Sequence, residues 1–340
     1  MRLLLSLSLW FFSAGAIAQD ALWADLHAHP SRFHRSNIPR ILDDEIANYL
    51  ENGINVVVCN ISTDTPYRGG YVLPDGTEID WGNRRPAPDE PWTHTLNRMK
   101  LLARTAEEGN AIFVRSPDDV ARAAQAGKLG LIPALEGADG LQGDIEKLRE
   151  LHRLGVGLVQ LVHFRANELG HIQTWPYTPG GLTPFGEQVV REANELGIIV
   201  DLAHANAETI ADALAVSEDP MLFSHTGARV FDDGDRALAD AEITAIAAKG
   251  GVIGIWPNGS SVPRLTDMVR HIDHIKNLVG VEHVGIGSDL RGMGSYTDGF
   301  GEEARFLGIA EALGESGYSE EDVNAVMGGN FMRVLAEVTR

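Results

Sequence analysis

Residues 129–136 read LGLIPALE: seven small or apolar positions and then a carboxylate, Glu136. The same shape recurs along the chain. Residues 24–29 (ADLHAH) carry His27 and His29, and 156–163 (VGLVQLVH) end in His163. Residues 198–204 (IIVDLAH) end in His204, 221–225 (MLFSH) in His225 and 283–289 (HVGIGSD) in Asp289. Residues 54–62 (INVVVCNIS) and 251–256 (GVIGIW) are two further runs of this kind. They are near-continuously apolar rather than alternating, the pattern of parallel strands buried on both faces. Amphipathic helical stretches separate them, clearest at 144–154, 185–196, 207–216, 240–249 and 266–279. Gly155, Gly197, Gly250 and Gly280 follow such stretches just before the next run, a helix-stop signal.

Eight strands alternating with helices predict an α/β fold, a (β/α)8 TIM-type barrel. A doubly wound open sheet is the alternative, since alternation alone does not separate the two. The absence of a G-x-G-x-x-G after an early strand weakens a dinucleotide-binding reading. Segment 63–91 interrupts the repeat with Gly, Pro and Asp and carries Tyr67, Tyr71 and Trp81, with Trp92 just beyond. As an insertion after the second strand it is expected over the barrel mouth, as a lid or contact surface. Residues 111–114 read as an extra short strand, and 319–340 as terminal helices.

Composition bounds the function. The chain has 340 residues, 44% hydrophobic and 22% charged, which describes a globular protein. With 48 acidic against 28 basic residues its formal charge is -20, which argues against nucleic acid or an anionic membrane surface as partner. Residues 1–18 open with Arg2, continue as an apolar run and end in Ala16-Ile17-Ala18, the form of a secretory signal peptide. Cleavage after Ala18 leaves a mature domain of residues 19–340, secreted or periplasmic, with no membrane span. Cys59 is the single cysteine, so an intrachain disulfide and a thiolate metal cluster are excluded. It is expected as a buried small hydrophobe.

Any metal site must therefore use His, Asp and Glu. In a barrel the C-terminal strand ends converge on one face, where such enzymes keep their active sites. Five histidines and two acids fall there: His27, His29, Glu136, His163, His204, His225 and Asp289. His27 and His29 are two apart, so on a strand they share a face and both reach one ion. Zinc suits imidazole and carboxylate ligands. Seven candidates exceed one tetrahedral shell, so two ions are expected, with a carboxylate such as Glu136 bridging them. His163 is placed to polarise a substrate carbonyl, and Arg236 to pair with a substrate carboxylate in a fork. His34, His94, His152, His171, His271, His274 and His283 read as surface residues, His34 least firmly. His271 and His274 are expected on an outward helix face, and Ser224 as structural.

At these residues the chain resembles the membrane (renal) dipeptidase family of binuclear zinc peptidases, within the amidohydrolase superfamily. LIPALEG resembles the family strand that supplies a bridging glutamate. LVHFRANELG resembles its L-T-H…N segment, and GLTPFGEQVVREANELGIIVDLAHA resembles a long and specific stretch ending D-x-S-H. FSHTGAR, GIGSDL and GGNFMRVL resemble F-S-H-S-x-A, G-x-G-S-D-F-D-G and G-G-N-x-L-R-V. The resemblance covers about residues 24–335. It implies that Glu136 bridges two zinc ions, that His204 and His225 bind the second, and that His27 and His29 occupy the positions for the first. It implies that His163 stabilises the tetrahedral intermediate, Arg236 holds the substrate carboxylate, and Asp289 handles protons while a hydroxide bridging the metals attacks a dipeptide. The family often forms a homodimer, but the sequence carries no interface signature.

The sequence departs from the family pattern in three places. His29 replaces the Asp of H-x-D, Ala237 replaces the Asn after Arg236, and D-F-D-G reads Asp289-Leu290-Arg291-Gly292, placing a cation near the mouth. Two rival functions follow: another metal-dependent amidohydrolase acting on a lactone or cyclic amide, favoured by His29 and Arg291, and an inactive metal-binding relative.

Overall fold

The structure, a computed structural model, describes residues 21–69, 82–83, 86–174, 177–301 and 303–340. The leader at 1–18 and, within segment 63–91, residues 70–81 and 84–85, including Tyr71 and Trp81, lie outside the described residues.

Eight strands form the barrel: β1 (Trp23–Ala28), β2 (Ile54–Ser62), β3 (Leu129–Glu136), β4 (Leu158–Gln160), β5 (Ile199–Asp201), β6 (Leu222–Thr226), β7 (Val252–Ile255) and β8 (Val284–Ile286). Each pairs in parallel with the next in chain order. The ring closes just past β8, where Ala28 bridges Leu290. There Asp289 N donates to His27 O at 2.8 Å and His29 N to Leu290 O at 2.9 Å. That closure excludes the doubly wound open sheet. The expected extra strand is Ala111–Phe113, which lies in parallel beside the first half of β3.

The apolar runs are continuous because both faces of the strands are covered. All eight residues of β3 are buried. Side chains alternate across a strand, so Val56, Val58 and Ser62 share one face of β2, as Ile132, Ala134 and Glu136 share one face of β3. The register sets Ser62 opposite Glu136. The apolar members of these faces, with Leu158, Ile199, Leu222 and Val252, pack against Phe331, Val334, Leu335 and Val338. Those four belong to the last helix, Asn330–Val338, which closes the N-terminal end of the barrel. The interior is thus apolar at its floor and polar at its mouth.

Glycine is required where β6, β7 and the β8 end crowd together. A Cβ on Gly254 or on Gly287 would collide with the Ser224 carbonyl. Cys59 is buried and free, as its apolar setting predicts.

Candidate metal centre and active site

Each predicted metal-binding or catalytic side chain lies at the C-terminal end of a strand or just past it. Two needed unusual backbone to get there: His204 has φ 69° and Asp289 has φ 44°, conformations that non-glycine residues adopt rarely and that concentrate at functional sites.

Glu136 is the hub. Its Oε1 lies 3.2 Å from His27 Nε2, 3.0 Å from His163 Nε2 and 3.9 Å from His204 Nε2. Its Oε2 lies 3.5 Å from His29 Nε2 and accepts from Ser62 Oγ at 2.5 Å. Asp289 Oδ1 is 3.5 Å from His29 Nε2 and 4.0 Å from His27 Nε2. The Nε2 atoms of His204 and His225 approach to 3.1 Å. Two triads with mutually close ligand atoms result, His27–His29–Glu136 and Glu136–His204–His225, and they share the carboxylate.

The donor set fits a pair of divalent cations. His27 Nε2 sits near Glu136 without the geometry of a hydrogen bond, and Asp289 Oδ1 is buried without a hydrogen-bond partner. Buried polar atoms are rarely left so, and an ion is among the explanations. The far side of three of the four rings is anchored, as is usual for metal-ligating imidazoles, whereas His204 Nδ1 is buried without a hydrogen-bond partner among the described residues. His29 Nδ1 meets Asn60 O at 2.9 Å, while the Nδ1 atoms of His27 and His225 meet Ser224 Oγ at 3.2 and 2.9 Å. Ser224 is thus a support for two rings on different strands. β1 ends at Ala28, so His29 has already left the strand, yet both imidazoles of the pair reach the same carboxylate.

Electrostatics agree with this chemistry. Burial alone would raise the Glu136 carboxyl, but His163 and His29 outweigh it and hold the group well below the usual carboxylate range. His204 and His225 are pushed well below the ordinary imidazole value, by burial first and then by neighbouring cationic groups, so their lone pairs are free to ligate. His27 moves the other way, Glu136 and Asp289 overcoming its burial.

These groups open into a pocket of about 300 Å³ lined by His29, Glu136, His163, His204, His225 and Asp289, with Phe164, Trp256 and Met293 as apolar walls. His27 lies beneath it, fully buried. Arg236 also lines the pocket. It donates to Gln173 Oε1 at 2.5 Å and to His225 O at 3.2 Å, and lies over the Trp256 ring. Desolvation lowers its guanidinium to about 10, which favours an anionic partner.

Two expectations fail. His34 is 4% exposed and lines the pocket, its ring 4.1 Å from that of His29. His271 does not face outward: it is 2% exposed, and its Nδ1 accepts from Ala228 N at 2.9 Å. The loop after β6 folds back over this helix face and places Phe231 on the His271 ring, a tertiary cover that helix periodicity does not reveal. His274, three residues on, is half-buried and pairs with Asp240 at 2.7 Å. Arg291, expected as a cation at the mouth, reaches Glu45 at 3.2 Å. Sequence reasoning missed Ser62 and Asp64, which touch Glu136 and His163.

The profile of the membrane dipeptidase family (peptidase family M19) matches residues 47–340. The chain belongs to the membrane dipeptidase family. Among its relatives, Dipeptidase tcpJ of Claviceps purpurea (strain 20.1) is 34% identical over 254 residues, 72% of this chain and 60% of that protein. The chain spans between about half and three fifths of the length of the first curated relatives it matches. Two solved structures share the fold of this membrane dipeptidase family member. The probable dipeptidase PvdM of Pseudomonas aeruginosa superposes with TM-score 0.80 at 21% identity, covering 95% of this chain and 96% of that one. A metallo peptidase of Rhodobacter sphaeroides, liganded with a phosphinate mimic of the dipeptide L-Ala-D-Ala, superposes with TM-score 0.78 at 22% identity, covering 93% and 99%. Among the described residues no helix is long and apolar enough to cross a membrane.

Proposed function

We propose that this protein is a zinc-dependent dipeptidase with two ions per chain. The observation that carries the reading is the sharing of Glu136 by two buried ligand triads at the base of a pocket of about 300 Å³. His27, His29 and Glu136 would hold one ion, and Glu136, His204 and His225 the other. Bound zinc would supply an acidified water as nucleophile and polarise the scissile carbonyl.

The chain's own residues do the rest. Arg236 pairs with the C-terminal carboxylate of the dipeptide, exchanging a desolvated, counter-ion-poor state for a charge-assisted fork. That contact orients the peptide bond toward the triads. His163 directs Nε2 at the oxygen that gains charge as the carbonyl becomes tetrahedral. Asp289, whose Oδ1 has no hydrogen-bond partner, takes the proton of the attacking water and delivers it to the leaving amine. Phe164, Trp256 and Met293 give the pocket apolar walls beside the ligands. No acyl-enzyme is formed, and Ser224 serves the ligands rather than attacking.

His29 in place of a carboxylate favours a second reading, a related amidohydrolase acting on lactones or cyclic amides. The ion pair of Arg291 with Glu45 removes part of the case for it. Assaying zinc-loaded protein on dipeptides, including those with a C-terminal D-residue, against lactones decides between them. Turnover of lactones alone would refute the dipeptidase. We also infer export, with cleavage after Ala18; N-terminal sequencing of the secreted form is expected to begin at Gln19.

A further inference from the structure

Ser62, Thr63 and Asp64 form a strap that runs from the end of β2 across two neighbouring strand ends. Ser62 Oγ donates to Glu136 Oε2 at 2.5 Å. Thr63 N donates to Glu136 O at 3.1 Å, and Thr63 Oγ1 donates to Gly137 O at 2.5 Å and accepts from Gly140 N at 3.2 Å. Asp64 Oδ1 lies 3.0 Å from His163 Nδ1, and its Oδ2 accepts from Phe164 N at 3.4 Å. None of the three residues is more than 2% exposed.

An ionised carboxylate only accepts hydrogen bonds, so the His163 nitrogen facing Asp64 carries a proton. This sets the ring orientation: Nδ1–H points to Asp64, and Nε2 points into the pocket, 3.0 Å from the acceptor Glu136 Oε1. Facing a carboxylate or a developing oxyanion requires a proton on Nε2 as well, so the acting form is the imidazolium. His163 lies three residues past the end of β4. Asp64 and Glu136 hold the two ring nitrogens from opposite sides, so losing Asp64 removes one of these anchors and lets rotation about the side-chain torsions redirect Nε2. A fold needing only a hydrogen bond here would be served by a neutral amide. Instead a fully buried anion is kept near a second buried acid, Asp139, whose carboxyl burial and Asp64 together push up to about 7. Burying such a pair opposes stability, which points to a use in function.

We propose that Asp64 is a positioning residue: it acts through His163 and holds Nε2 where the carbonyl oxygen of the substrate gains charge. The catalytic part rests on the dipeptidase reading, whereas the orientation of the ring does not. The test uses Asp64→Ala and Asp64→Asn in the full chain. With zinc loaded, Asp64→Ala is expected to lower kcat about 100-fold. KM should stay within about threefold, and bound zinc should match wild type. Asp64→Asn should recover part of the loss, because its side-chain oxygen still accepts from Nδ1–H. In metal-free protein, an exchange-protected His163 Nδ1–H signal by proton–nitrogen NMR should be present in wild type and lost in Asp64→Ala. Unchanged kcat in Asp64→Ala, or zinc lost in step with activity, would overturn the proposal. If wild type hydrolyses no dipeptide, the substrate reading fails, and the NMR comparison alone decides: a retained signal overturns the orienting role, and a lost signal supports it.

Discussion

Replacing Glu136 by Gln keeps the shape of the hub and removes its charge. Because one carboxylate serves both triads, the substitution should weaken two sites at once. The size of the effect follows from linkage. At zinc 100-fold above its Kd, each wild-type site stabilises the folded chain by about 2.7 kcal/mol, or about 5.4 for the pair. Unfolding entropy near 2.1 cal/mol/K per residue gives about 0.7 kcal/mol/K for roughly 320 folded residues. Zinc should therefore raise the wild-type Tm by about 8 °C. If each site loses about 100-fold in affinity, only about 0.4 kcal/mol per site is left at the same zinc, and Glu136→Gln shifts by about 1 °C. The assay is thermal unfolding of chelator-stripped protein, with and without zinc. A wild-type-sized shift in the variant would refute the role of Glu136. A half-sized shift of about 4 °C would show that it serves one ion, not two.

Arg236→Ala should raise KM about 30-fold with kcat little changed, as expected for the loss of a charged hydrogen bond made in ground and transition states alike. Comparing a dipeptide with its C-terminal amide checks this, since the variant should no longer prefer the free carboxylate. Phe331→Ala should cost about 3–5 kcal/mol in denaturant unfolding by opening the barrel floor, while zinc uptake by the folded fraction stays at the wild-type level. His271, lowered mainly by burial from 6.5 to about 4, gives a pH dependence. Between those values the unfolded chain binds the proton and the folded one does not, so the contribution is complete above pH 6.5 and is lost as pH falls toward 4. Denaturation midpoints should fall less steeply over that window in His271→Gln than in wild type; equal slopes would contradict the buried, neutral ring.

Much of the fold was legible because its strands are buried on both faces and their polar residues are confined to one end. LGLIPALE shows both properties: every residue is buried, and the one carboxylate ends at the hub. The seven strand-end candidates converge for the same reason, since in a parallel ring all C-terminal ends share a rim. Closure was not legible, because it depends on Asp289 N and His29 N reaching across the β1–β8 seam. His271 was misread because its cover comes from elsewhere in the chain, the loop after β6, and His34 because the turn after β1 brings its ring to 4.1 Å from that of His29, tilted by 48°, which spacing alone does not show. Asp64 escaped notice because nothing in its local spacing signals that it meets His163, 99 residues away.

The central claim is that one buried carboxylate joins two cation sites. An X-ray structure of the zinc-loaded chain, with anomalous data at the zinc edge, tests it most directly. Two peaks are expected, one among His27, His29 and Glu136 and the other among Glu136, His204 and His225. A single peak, or peaks with Glu136 touching neither, would contradict it.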